Sequence, residues 1–305
     1  MISSINRIII IGRNTLTEAV RQKVLSVLLI FGLVLVSSSV LVSQLATPDI
    51  DHLFDEQIKF VKDFGCGAIG LFGFAIALLS TAQLIPQELH NRTIYTILAK
   101  PVRRSEFLLG KFFGIVLLLA LSVSLMTAAF GLTLYWQESA GLASVEANYD
   151  RMGNWKANAG SVAEHDRDVA QIVHQVRDPQ LVEAILLIFA KIIMTSAICL
   201  LVSTFATSSI FTIVTTFMIY LIAHMEGMAR TFWLANGAET SLWQSALLGL
   251  VSLLVPDMNS FTIVDEILAG NHVPWSHAVN LLGYADVYVI VLLAVSVVVF
   301  DYREI

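Results

Sequence analysis

The sequence predicts an all-α polytopic membrane protein with six transmembrane helices, and three observations carry that prediction. Hydrophobic residues make up 56% of the 305-residue chain and charged residues only 14%, with a mean hydropathy of +0.76; a soluble domain of this size is far less apolar. The apolar residues gather in runs close to the roughly 20 residues a helix needs to cross a hydrocarbon core. Finally, the net charge of −6 hides a segregation, with bases and acids falling in alternate connections. Such sparse charge does not argue for nucleic-acid binding.

Residues 1–23 place Ile5, Ile8, Ile9, Leu16 and Val20 at helical spacing, with Arg7, Arg13, Asn14, Thr17, Glu18 and Arg21 between them. This pattern predicts an amphipathic helix lying in the membrane interface; the alternative is a helix packed on a soluble partner. The apolar run that follows is longer than the core of a cleavable signal, so the first span, 24–45, is expected to remain as an anchor. Further spans are predicted at 64–86 (TM2), 107–136 (TM3), 181–206 (TM4), 209–225 (TM5) and 281–300 (TM6), the last with one acid, Asp286, near its outer end. TM4 and TM5 form one run broken only at Thr204 to Ser209, too long for a single helix, which predicts a tight hairpin turning at Thr207 to Ser209. Residues 241–256 are uncharged but too short to cross comfortably, and Pro256 stops them, so they read as a re-entrant or interfacial helix before TM6.

Orientation follows from bases near the span ends. With both termini cytoplasmic, the inner pieces carry Arg7, Arg13, Arg21, Lys23, Arg92, Lys100, Arg103, Arg104, Lys111 and Arg303. Most acids then lie outside, in the connection after TM1 and in 137–180 after TM3. Within 137–180, Val162, Val169, Ile172, Val173 and Val176 have an amphipathic helical period. That apolar stripe is expected to pack on the outer span ends or on a second subunit, with disorder as the alternative.

The segment 87–106 is the one polar, basic interruption between two long apolar runs. Glu88 and Arg92 stand at i,i+4 with the acid first, the favourable helical order. Ile94, Ile97 and Leu98 form a short apolar face before Lys100 and Pro101, where proline disfavours continued helix. Ser105 can cap the next helix, with Glu106 in its first turn. A helix, a break and a new helix result, with Arg103, Arg104 and Lys111 expected to face the cytoplasm. Such an element suits docking of a cytoplasmic partner, or it is a plain connector that holds topology.

The sequence ELHNRTIYTILAKPVRRSEFLLGK, from Glu88 to Lys111, resembles the TM2–TM3 segment of ABC-2 type permeases, especially those of nitrous-oxide reductase maturation and of gliding motility. Glu88, Arg92, Thr93, Leu98, Lys100, Pro101, Arg103, Gly110 and Lys111 match the family pattern. So do the N-terminal helix, which would be an elbow helix, the Val255-Pro256-Asp257 segment before TM6, and the charged Asp301 to Glu304 terminus. The resemblance implies a single ABC-2 type transmembrane domain over 1–305, in a bacterial-type inner membrane, acting as the permease subunit of an ATP-driven transporter, an exporter or a mechanical transmitter. It also implies a homodimer bound to two copies of an ABC ATPase, and an accessory protein outside. The coupling helix would dock through Glu88, Arg92, Thr93, Ile94, Ile97, Leu98, Pro101, Arg103, Arg104 and Lys111. The chain carries no G-x-x-x-x-G-K-[ST] phosphate loop, since Gly110 and Lys111 are followed by Phe112. No cofactor is therefore expected in this chain; ATP and magnesium belong to the partner subunit.

Among isolated residues, Lys191 is the base set inside a predicted span, where charge is expensive. It either lines a substrate path, snorkels outward, or pairs with Glu183 or Asp286. His165 and His174 with Asp166 and Asp168 suggest a metal weakly, because a spacing of nine does not put the two histidines on one turn; a solvated charged face is the simpler reading. Cys66 and Cys199 read as buried inert thiols, and the hydroxyls around 203–216 as groups bonded within the membrane helices. No catalytic or metal constellation emerges. A membrane scaffold or sensor acting through 137–180 is the alternative function, and a membrane hydrolase a distant third.

Overall fold

The computed structural model describes residues 4–46, 53–90, 103–153, 156, 158–235 and 256–303. Within them the chain is helical. In order come α1 (Ser4–Val20), α2 (Lys23–Ala46), α3 (Leu53–Ala82), α4 (Leu84–His90), α5 (Arg104–Met152), α6 (Ala159–Val176), α7 (Gln180–Phe205) and α8 (Ser209–Ala235). A 3-10 turn at Asn259–Thr262 leads into the short α9 (Ile263–Leu268) and then α10 (Trp275–Tyr302). Arg92, Thr93, Ile94, Ile97, Leu98 and Pro101 of the coupling segment, and 241–255 of the re-entrant segment, lie outside the described residues.

Among the described residues four stretches are long and apolar enough to cross a membrane, at 57–88, 104–151, 160–205 and 275–302. A fifth is counted if α1 and α2, which meet at a bend of 70°, act as one broken span, and α8 holds a shorter apolar stretch, Ser209–Met225. The predicted six is thus shown here as four to five.

Helix α7 is the centre of the bundle. From Leu187 to Thr204 it is buried on nearly all sides, packed against α3, α10, α8 and α5, and the run without charge beyond Lys191 is what allows that. Its hydroxyls turn back onto its own carbonyls, as in Ser203 Oγ donating to Leu200 O at 2.7 Å and Thr204 Oγ1 to Leu201 O at 2.6 Å. Every such bond removes an unpaired polar group from a setting that cannot hydrate it.

Helix α5 does not stop near 136 but continues to Met152, 49 residues in all, about 70 Å at 1.5 Å per residue. Its far portion pairs with α6, which runs into α7 across the short break at Arg177 to Pro179. The described residues of 137–180 are therefore two paired helices, each continuous or nearly so with a bundle helix. Ile172 and Val176 of α6 are buried. Tyr149 donates to Asp168 Oδ2 at 2.9 Å and meets His165 edge to face at 5.1 Å. Arg177 pairs with Glu138 at 2.9 Å and Lys62 with Asp178 at 3.5 Å, pinning the base of the hairpin to α5 and α3.

Candidate functional site

Two groups of residues stand out, at opposite ends of the bundle. The first joins α1, α4, α5, α7 and α10. Helix α5 starts two residues earlier than the sequence suggests: Arg103, not Ser105, is the N-cap, and its backbone N–H donates to Glu106 Oε2 at 3.2 Å. A carboxylate at the third helical position thus reaches back to the N–H of the capping residue, one half of a capping box. Glu106 also pairs with Arg7 of α1 at 3.4 Å.

One turn further, Lys111 is 4% exposed. Its Nζ lies 2.5 Å from Glu88 Oε1 of α4 and 3.6 Å from Glu18 Oε2 of α1. Lys111 therefore does not belong to an exposed basic cluster; it is the internal counter-ion of two acids, and it ties three helices together. Gly110 and Gly114 make that approach possible. A Cβ on Gly110 would stand 2.8 Å from Ile11 Cβ, and one on Gly114 only 2.6 Å from Gly12 O. Helix α1 thus seats on α5 through Gly12, Thr15 and Ala19, the small-residue contact that membrane helices favour. Other large apolar residues of α1 point away from α5, Ile5 being 68% and Ile9 49% exposed. A cleft of about 540 Å³ beside this contact is lined by Glu18, Arg21, Gln83, Gln87, Glu88 and Lys111.

Arg104 is also occupied within the chain. Its guanidinium donates to the carbonyls of Phe300, Asp301 and Arg303 at 3.2, 3.1 and 2.9 Å. Arg303 in turn donates to Thr204 O at 2.6 Å and Ala206 O at 3.2 Å. Each arginine satisfies carbonyls at the end of a neighbouring helix, groups that a helix leaves unpaired. The two relay from α5 to α10 to α7. Of the three bases expected to face the cytoplasm, only Arg103 is exposed. Nothing in the local sequence distinguishes an arginine that caps another helix from one that greets a partner.

The second group surrounds Lys191 of α7. Its Nζ lies 3.1 Å from His224 Nε2 of α8, and 6.0 Å from the centre of the Tyr220 ring. Pairing with Glu183 or Asp286 is not found: among the described residues no carboxylate lies within ion-pair reach of it. Instead it faces a cavity of about 800 Å³ enclosed by α3, α7, α8, the 3-10 turn and α9. Lys59, Asp63 and Asp265 stand exposed at its rim. His224 was legible as a histidine inside a predicted span; Tyr220, Asp265 and the cavity itself were not, because they come from separate elements. Among the described residues no group of histidine, cysteine and acidic side chains could hold a metal ion, and His165 contacts Asp166 at 3.3 Å. Cys66 and Cys199 are both buried free thiols.

The arrangement defines a multi-pass helical membrane protein with buried charge at two depths. Its sequence matches the family model described as ABC-2 family transporter protein over residues 10–305, and the chain belongs to that family. It is accordingly a permease component of an ABC transporter, and the family implies pairing with an ABC ATPase subunit. A search of characterised proteins finds no match.

Proposed function

We propose that the chain is the membrane subunit of an ABC exporter that works as a homodimer with two ATPase subunits, receiving their motion through 87–106. The observation that carries this reading is the family match along nearly the whole chain, together with the lack of a phosphate loop in the sequence. The inner ends of the helices would be those of Arg104, Phe205 and Tyr302, and six spans with both termini inside agree with the distribution of bases. The 70° bend between α1 and α2 supports reading α1 as the interfacial elbow. Force arriving at 87–106 would enter α5 and α4 directly and reach α10 and α7 through Arg104 and Arg303. Because α5 is one continuous helix into the outer hairpin, the same motion can act mechanically on an accessory protein outside.

The test is co-purification of the tagged chain with its ABC ATPase from native membranes, read by mass spectrometry of the captured nucleotide-binding subunit. Arg103→Glu combined with Leu98→Asp should release the ATPase while the chain still inserts and elutes as a single species. Retention of the ATPase by that variant would show that 87–106 is a connector. Arg104 is unsuited to the test, since its loss would disturb α10.

A further inference from the structure

Resting on the permease reading, we infer that the Lys191 cavity is a binding site for an amphipathic organic acid: one anionic head held by Lys191, which His224 positions, on an apolar body lying along the cavity wall. The first observation is the lysine itself. A cation inside a membrane helix needs a counter-charge or water, and among the described residues Lys191 has no carboxylate within 4.0 Å; its partner is an imidazole nitrogen at 3.1 Å. An ammonium only donates, so His224 Nε2 accepts one of its protons and the others remain for a ligand.

Glycines supply the second observation. Gly67 and Gly70 of α3 both line the cavity. A Cβ on Gly67 would meet nothing within 4 Å, and one on Gly70 would come no nearer than 3.9 Å to Ile188. Their neighbours differ: a Cβ on Gly65 would strike Phe130 and one on Gly73 would strike Ile192. Close helix packing therefore explains Gly65 and Gly73 but not Gly67 and Gly70. Glycine weakens a helix interior relative to alanine, and what these two preserve is open volume.

The walls and rim set the ligand class. Phe74, Leu187, Ile188, Phe261, Val264 and Leu268 give an apolar lining, and about 800 Å³ lies in the range of pockets that enclose small organic molecules. The rim carries two acids, Asp63 and Asp265, and one base, Lys59, so its net negative charge disfavours any negative charge beyond the one that Lys191 neutralises. A monoanion with an apolar body satisfies all of these; a polyanion or an amphipathic cation does not.

The experiment uses the purified full chain in a neutral detergent, without the ATPase, and four soluble probes: 4-phenylbutyrate, phenylsuccinate, 4-phenylbutanol and 4-phenylbutylamine. Binding is measured by equilibrium dialysis against detergent alone. Phenylbutyrate should bind about tenfold or more tighter than the alcohol, as a charge-assisted hydrogen bond provides, with the dianion and the amine weaker still. Lys191→Met should reduce the acid to the level of the alcohol, and Lys191→Arg should retain most of the preference. Gly70→Leu, which fills the cavity without touching the charge, should weaken acid and alcohol alike; it also keeps the test alive should Lys191→Met fold poorly. Equal binding of acid and alcohol, or an acid preference that survives Lys191→Met, overturns the site. Failure here leaves ATPase capture untouched, and failure of ATPase capture removes the permease reading whatever the probes do.

Discussion

Lys111 and Lys191 are both lysines set into apolar helices, and the protein treats them in opposite ways. Lys111 is closed in by Glu88 and Glu18, with α1 pressed onto α5 so tightly that no Cβ fits at Gly110 or Gly114. Lys191 faces open space, beside glycines that have room to spare, with a histidine as its polar contact. A buried charge that is fully paired locks helices together and is costly to break. One left without a counter-ion at a cavity is a standing demand for something else to supply it. The difference separates a part of the bundle locked by paired charge from a part that leaves room beside a lysine.

The sharpest way to break the comparison is to unpair Lys111. Lys111→Met strands Glu88 among buried groups and should lower stability by about 3–5 kcal/mol, read as a fall in melting temperature and in the folded fraction on size exclusion. Adding Glu88→Leu should recover most of it; no recovery would mean that packing rather than charge is at stake. Next in size is Gly114→Ala, whose methyl would press on a backbone carbonyl that cannot rotate away, at about 1–3 kcal/mol for overpacking. Its thermal melt should drop while that of Gly67→Ala does not. Arg303→Ala removes two hydrogen bonds to the end of α7 and should cost about 1–2 kcal/mol, with amide exchange accelerated over residues 201–206; unchanged exchange would deny the capping relay. Smallest and opposite in sign, Gly67→Ala should stabilise by about 0.5–1 kcal/mol through helix propensity. A loss of stability there would mean that α3 needs the glycine for contact after all.

The helices were legible because membrane burial writes itself as long apolar runs, and the amphipathic period of α6 survives in five aliphatic positions. Charge partners were not. Glu88 and Lys111 are 23 positions apart and Arg104 reaches carbonyls nearly 200 positions away, and no periodicity encodes such meetings. The expectation that Ser105 would cap α5 failed for a local reason, since the helix already begins at Arg104 and Glu106 accepts from the N–H of Arg103, the residue that precedes it. The apolar face of α1 was visible, but its direction was not: Gly12, Thr15 and Ala19, with Ile11, make the helix contact, while Ile5 and Ile9 are exposed.

By itself the sequence determined that this chain lives in a membrane, that it is built of helices, that a basic segment interrupts them after TM2, and through that segment its kinship with ABC-2 permeases. Those properties are additive over neighbouring residues, so composition and spacing suffice. Only the tertiary structure decided which lysine is paired and which is left open, that α5 runs on into a helical hairpin with α6, and which glycines make contacts rather than space. Each depends on what approaches from a distant part of the chain, and close packing settles that at the scale of a single methyl group.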